Sequence, residues 1–128
     1  MLLGELGYPA RAEVVAHRLA RLLTSRAVAY VAEGGGDVLG LCTAHLFDVI
    51  HEDPPVVMLS VLVVAGRARR RGVGRRLMDE AERWARASGT GRVVIASGLA
   101  RADAHAFYES LGYVHNARRY AKRLGPVE

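Results

Sequence analysis

From Arg11 to Leu23 the chain reads RAEVVAHRLARLL, and Val14, Val15, Leu19, Leu22 and Leu23 fall on one helical stripe with the arginines elsewhere. This predicts an amphipathic helix over 11–23 that begins near Pro9, since proline suits a first turn. AVAYVAE (27–33) and DVLGLCTAHLFDVI (37–50) flank a glycine triplet, the pattern of two antiparallel strands joined by a glycine turn. PPVVMLSVLVV (54–64) then predicts a third, heavily buried strand. From Val73 the period is helical again. Val73, Leu77, Ala81, Trp84 and Ala85 share one face, Asp79 with Arg83 and Glu82 with Arg86 form i,i+4 pairs on the other, and Ser88 and Gly89 end the helix. RVVIAS (92–97) predicts a short buried strand, ADAHAFYESLG (102–112) a short helix closed by Gly112, and YVHNARRYAKRL (113–124) a last strand with mixed faces.

No repeat or linker divides the 128 residues, so one domain over 1–128 is expected, and a hydrophobic fraction of 51% is enough for a sizeable core. The longest apolar stretch, Pro54 to Gly66, is broken by Ser60 and is shorter than the ~20 residues a membrane-spanning helix needs. The start MLLGELGYP has no basic segment and carries Glu5, unlike a signal peptide. A cytoplasmic protein with no membrane partner is expected. Cys42 is the only cysteine, which rules out an intrachain disulfide and a cysteine-based zinc site. His17, His45, His51, His105 and His115 have no metal-ligand spacing, so no metal is expected. On a strand Cys42 and His45 face opposite ways, and Cys42 reads as a small buried apolar residue.

Charge adds one local feature. The net charge of +5 is modest, yet six arginines fall between Arg67 and Arg76. In ARRRGVGRRL (68–77) the side-chain-free Gly72 and Gly74 let backbone N–H groups approach a bulky anion, and the following helix points its positive end there. Arg69 or Arg75 could add a guanidinium fork. Together these describe a cradle for a diphosphate. Two known cradles do not fit. Arg75 and Arg76 stand where a P-loop needs Lys and then Ser or Thr. Leu77 stands where a dinucleotide fold needs its third glycine, and RVVIAS ends in no acidic residue. A solvated arginine face and a nucleic-acid-binding module also remain open, the latter without aromatic residues interleaved among the arginines.

The run Arg69, Arg70, Arg71, Gly72, Val73, Gly74 resembles the acetyl-CoA motif of the GCN5-related N-acetyltransferases, which is Arg or Gln, two residues, Gly, one residue, Gly or Ala. LSVLVV before it and AERWARASG after it extend the likeness. So does ADAHAFYESLGY (102–113), where Ala104 precedes the Phe107–Tyr108 pair by three and Gly112–Tyr113 follows. The likeness covers roughly residues 1 to 124. It implies an α/β acyl-CoA N-acyltransferase fold, with a mixed, mainly antiparallel sheet flanked by helices and splayed where the cofactor enters. The family's usual first strand is missing, which leaves a sheet edge near Val28 to Glu33 and leads us to expect a homodimer.

The resemblance also implies roles. Backbone groups of Leu62, Val63 and Val64 would meet the pantetheine arm of acetyl-CoA, and the N–H of Val63 or Val64 would polarise the thioester carbonyl. Arg69, Arg70, Arg71, Gly72, Val73, Gly74 and Arg75 would surround the diphosphate. Ala104, Phe107 and Tyr108 join the cofactor set through the closing signature, Phe107 mainly as a core residue, and Tyr108 would protonate the departing thiolate. Asp48, His51, Glu52 and Asp53 crowd a loop that in the family lines the acceptor groove, with Glu52 the candidate to relay the amine's proton through water. The implied reaction is direct acetyl transfer, in a ternary complex, to a primary amine of a small molecule or peptide. A basic module binding nucleic acid through the arginine stretch is the alternative.

Overall fold

The computed structural model describes residues 11–23, 26–95, 102–117 and 119–125. They fall into two compact units that divide between Ile95 and Ala96. The first holds α1 (Ala12–Leu22), β1 (Ala27–Gly34), β2 (Asp37–Phe47), β3 (Val56–Val64), a 3-10 turn (Gly66–Ala68), α2 (Val73–Ala87) and β4 (Val93–Ile95); the second holds α3 (Ala102–Ser110).

The sheet order is β1-β2-β3-β4, with β1/β2 and β2/β3 antiparallel and β3/β4 parallel. This is the mixed, mainly antiparallel sheet expected. Gly34 pairs with Asp37 across a two-residue turn in which Gly35 and Gly36 have φ of 61° and 84°. A turn with both central residues at positive φ matches the right-handed twist of the adjoining strands, so the glycines fix the register at the turn. β3 is buried on both faces at its start, with Val56 and Val57 almost inaccessible, as the apolar run before Ser60 requires.

α2 packs on the sheet through Leu77, Met78, Ala81 and Ala85. Its first turns lie against bare backbone: a Cβ on Gly40 would stand 2.9 Å from Leu77 Cδ1, 3.1 Å from Val73 Cγ1 and 3.3 Å from the Val63 carbonyl oxygen. The missing side chain in the middle of β2 therefore sets how closely the head of α2 approaches the end of β3. The helix ends at Gly89, whose φ is 87°. The Gly89 N–H donates to the Arg86 carbonyl and the Thr90 N–H to the Ala85 carbonyl, the paired bonds of a Schellman cap.

Several expectations need correction. Arg83 reaches Glu80 at 2.8 Å rather than Asp79, whereas the Glu82–Arg86 pair forms at 3.6 Å. Met78, outside the expected stripe, is fully buried. α1 has no fully buried residue, and Leu23 at its end is 51% exposed. Residues 113–117 and 119–124 form no strand. An extended segment needs a neighbour for its backbone groups, and Val114, Tyr120 and Leu124 are exposed rather than packed. The start of α1 near Pro9, any opening strand over 1–10 and the end of RVVIAS lie outside the described residues. Among the described residues β1 is an edge strand.

Candidate active site

The expected cofactor residues of the first unit lie on one continuous path from the end of β3 to the head of α2. In β3, Thr43 pairs with Val61 and Ala44 with Leu59, so Ser60 is an extra residue, a β-bulge. Its hydroxyl lies 2.7 Å from that of buried Thr43. A bulge interrupts the alternation of a strand and re-aims the groups that follow, and Leu62, Val63 and Val64 follow directly. On one side they pair with Cys42, Leu41 and Gly40. The parallel pairing on the other side ends at Leu59 with Ile95, and among the described residues no strand lies along that edge from Ser60 to Val64. An edge of this kind can accept an extended chain as an added strand.

The chain then turns tightly. The N–H of Ala65 donates to the Leu39 carbonyl at 2.8 Å, and that of Ala68 to the Ala65 carbonyl at 2.8 Å. Arg70 and Gly72 take left-handed backbone conformations, with φ of 65° and 77°. Glycine does this freely, whereas at Arg70 it costs roughly 1–2 kcal/mol, the kind of local strain found at ligand-binding turns. The first helical bond of α2 runs from the Arg76 N–H to the Gly72 carbonyl at 3.0 Å. The N–H groups of Val73, Gly74 and Arg75 precede it, and the N-cap, Gly72, has no side chain with which to cap the helix. A Cβ on Gly72 would meet nothing within 4 Å, so the turn is open at that position. Arg69, Arg70, Arg71 and Arg75 are all exposed around it. Arg67 instead pairs with Asp37 at 3.3 Å. A hollow of about 320 Å³ between the hairpin turn and this loop is lined by Gly34, Asp37, Arg67 and Arg71, among others.

In the acidic loop, Glu52 is half-buried and bonds Arg92 at 2.7 Å, with His51 Nε2 at 3.6 Å. Asp48 pairs with Arg26 at 3.2 Å. Two of the three carboxylates are thus tied to arginines, and Asp53 is exposed. Cys42 and His45 do face apart: His45 packs near the Phe47 ring at 6.4 Å, while Cys42 is inaccessible in the core. Burial pushes the Cys42 thiol up to about 12, from an ordinary 9.0. Tyr30, its partner across β1/β2, is also raised, mainly by burial, with Glu80 and Cys42 adding and Arg83 opposing.

The folded state thus keeps the Cys42 proton that an unfolded thiol releases. Its contribution is present in full below the ordinary thiol range and is lost as pH rises toward about 12. Denaturation midpoints measured up this range are expected to fall more steeply for the wild type than for Cys42→Ala, and iodoacetamide at neutral pH should leave the native thiol unmodified. Equal slopes in the two proteins would refute the assignment.

In the second unit, α3 carries Ala104, Phe107 and Tyr108, all half-buried. The helix ends in a second Schellman cap, with Gly112 at φ 93°, its N–H on the Glu109 carbonyl and the Tyr113 N–H on the Tyr108 carbonyl. This cap returns the Tyr113 ring to Tyr108, with centroids 6.2 Å apart and planes at 68°; the Phe107 ring lies 5.6 Å from that of Tyr108. The spacing in YESLGY thus has a physical basis: the glycine makes the turn and the two tyrosines close it. Among the described residues no group of three or more His, Cys, Asp or Glu is placed to hold a metal, and no helix is long and apolar enough to cross a membrane.

A bulged strand with no neighbour beyond its bulge among the described residues, followed by a glycine-arginine turn that opens a helix, marks an α/β acyltransferase architecture. Residues 5–113 match the family model described as Acetyltransferase (GNAT) family, and the chain belongs to that family. It is an enzyme of the N-acetyltransferase class. It is 30% identical over 124 residues, 97% of this chain and 79% of the relative, to the aminoalkylphosphonate N-acetyltransferase of Salmonella typhimurium. It is 40% identical over 62 residues to the uncharacterized N-acetyltransferase YhdJ of Bacillus subtilis, a match spanning 48% of this chain but only 44% of that protein. Its fold resembles that of AAC(6')-Iy, solved with the bisubstrate analogue CoA-S-monomethyl-acetylneamine, with a TM-score of 0.83 at 19% identity over 98% of this chain and 88% of the other.

Proposed function

We propose that this chain moves the acetyl group of acetyl-CoA to a primary amine of a small molecule, by direct attack while both are bound, and that residues 1–128 act as one acetyltransferase domain. The observation that carries this reading is the head of α2: uncapped N–H groups, Gly72 at φ 77° facing open space, and exposed guanidiniums around it. These features fit a diphosphate in shape and charge.

Acetyl-CoA supplies an activated thioester. The chain does the rest. The N–H groups of Val73, Gly74 and Arg75, with Arg69, Arg70 and Arg71, hold the diphosphate. Leu62, Val63 and Val64 offer the edge of β3 that has no partner among the described residues to the amide-bearing arm, and the N–H of Val63 or Val64 serves as donor to the acyl oxygen. Ala104 and Phe107 complete the cofactor set. Tyr108 holds a proton at its Oη for the departing sulfur, a sound match because an ordinary phenol (about 10) stays protonated where a thiol (about 8.5) begins to ionise. Glu52, held by Arg92, accepts the amine's proton through water. Cys42 is buried and protonated, so it is no nucleophile for an acyl-enzyme.

The relative named for aminoalkylphosphonates supports a small amine acceptor. A cytoplasmic homodimer, formed over the edge that β1 presents among the described residues, completes the reading. The test is release of free CoA from acetyl-CoA, followed by a thiol reagent across a panel of amines. Amine-dependent release is expected. Salt-sensitive nucleic-acid binding with no response to acetyl-CoA would favour the alternative.

A further inference from the structure

A cleft of about 600 Å³ opens between α1, the start of β1 and the end of β2. Arg18, Arg21, Arg26 and His45 form its polar wall, Leu22 and Leu46 contribute apolar surface, and among the described residues no carboxylate is part of its lining. Arg18 and Arg21 stand three residues apart on α1, so they share a helical face at a spacing where like charges repel. Neither has a carboxylate partner among the described residues. Arg26 is anchored at the rim by Asp48, at 3.2 Å. The hairpin register sets Ala27 opposite His45, and this brings the second wall to face α1.

The cleft is also placed to serve the reaction. His45 and Thr43 point to the same face of β2, and the Thr43 hydroxyl meets that of Ser60 at the β3 bulge. Two residues along a strand span roughly 7 Å, the length of a short aminoalkyl chain with its acidic group. An anion seated among the guanidiniums would leave a tethered amine at the bulge, beside the end of β3.

We infer that this cleft recognises an anionic group on the acceptor itself, so that the substrate is a small primary amine bearing a phosphonate, phosphate or carboxylate. This rests on the function proposed above. Guanidinium forks fit such oxyanions in bidentate geometry. The same positive field opposes polycationic amines such as aminoglycosides.

Two measurements on the full chain test it. Methylphosphonate titrated in a calorimeter is expected to bind saturably, and Arg18→Gln/Arg21→Gln should weaken that binding by about tenfold or more while leaving acetyl-CoA binding intact. In turnover at equal subsaturating concentrations, 2-aminoethylphosphonate should be acetylated about tenfold or more faster than propylamine or kanamycin, and the preference should collapse in the double variant. Absence of methylphosphonate binding overturns the inference. So does methylphosphonate binding without any preference for the anionic amine. Propylamine turnover without that preference leaves the acetyltransferase reading standing, whereas failure to bind acetyl-CoA or to acetylate any amine overturns both.

Discussion

Saturating acetyl-CoA is expected to raise the melting temperature of the wild-type chain by about 10 °C at a hundredfold excess over its dissociation constant, and Gly72→Val is expected to abolish the rise. A ligand that binds only the native state at that excess stabilises it by about 2.7 kcal/mol, worth several degrees per kcal/mol in a chain of this size. Gly72 is the decisive position because its backbone sits at φ 77° and its missing Cβ faces open space at the mouth of α2. Valine there would strain the turn and place methyl groups where the anion must come within hydrogen-bond distance of the N–H groups.

Strain alone must be separated from blocked binding. Gly89, at the other end of the same helix, has φ 87° and likewise meets nothing at a Cβ position. Gly89→Val should therefore lower the melting temperature of the free protein by a similar amount, yet keep the full response to acetyl-CoA. A Gly72→Val protein that still responds fully would show that the backbone before α2 does not hold the cofactor.

The cradle was legible in the sequence because its parts are contiguous: a buried strand, a glycine-arginine turn and a helix lie within residues 56–87. The hairpin was legible for the same reason, since a pair of glycines fixes its register locally. What depended on distant parts of the chain was not. Ser60 shows in the sequence only as a polar break in an apolar run, and its role as a bulge exists only against Thr43 and Ala44. Nothing in the linear pattern shows that α2 crosses over Gly40. That two carboxylates of the acidic loop are paired shows only when Arg26 and Arg92 are brought beside Asp48 and Glu52. Arg18 and Arg21 read as the wet face of an amphipathic helix, and become a wall only when Arg26 and His45 stand opposite. The stretch 113–124 has enough alternation to suggest a strand, but a strand is a relation between neighbours, and among the described residues none pairs with it.

Tyr108→Phe is expected to lower turnover by about 10² to 10⁴ while leaving folding and cofactor binding nearly unchanged. The size is that of losing a general acid. The selectivity follows from what the substitution keeps. The ring contacts to Phe107 and Tyr113 do not need the hydroxyl, and the bond that closes the helix cap runs from the Tyr113 N–H to the Tyr108 backbone carbonyl, which phenylalanine retains. The melting temperature and its shift with acetyl-CoA should therefore match the wild type. The pH profile adds a readout that packing cannot mimic: any decline of the wild-type rate at alkaline pH that comes from ionisation of this phenol should vanish in the variant. Tyr108→Ala makes the contrast, since losing the ring as well removes its packing against Tyr113 and should cost stability together with rate. Near-normal turnover in a well-folded Tyr108→Phe protein would make Tyr108 a packing residue, and the departing thiolate would then have to take its proton from water.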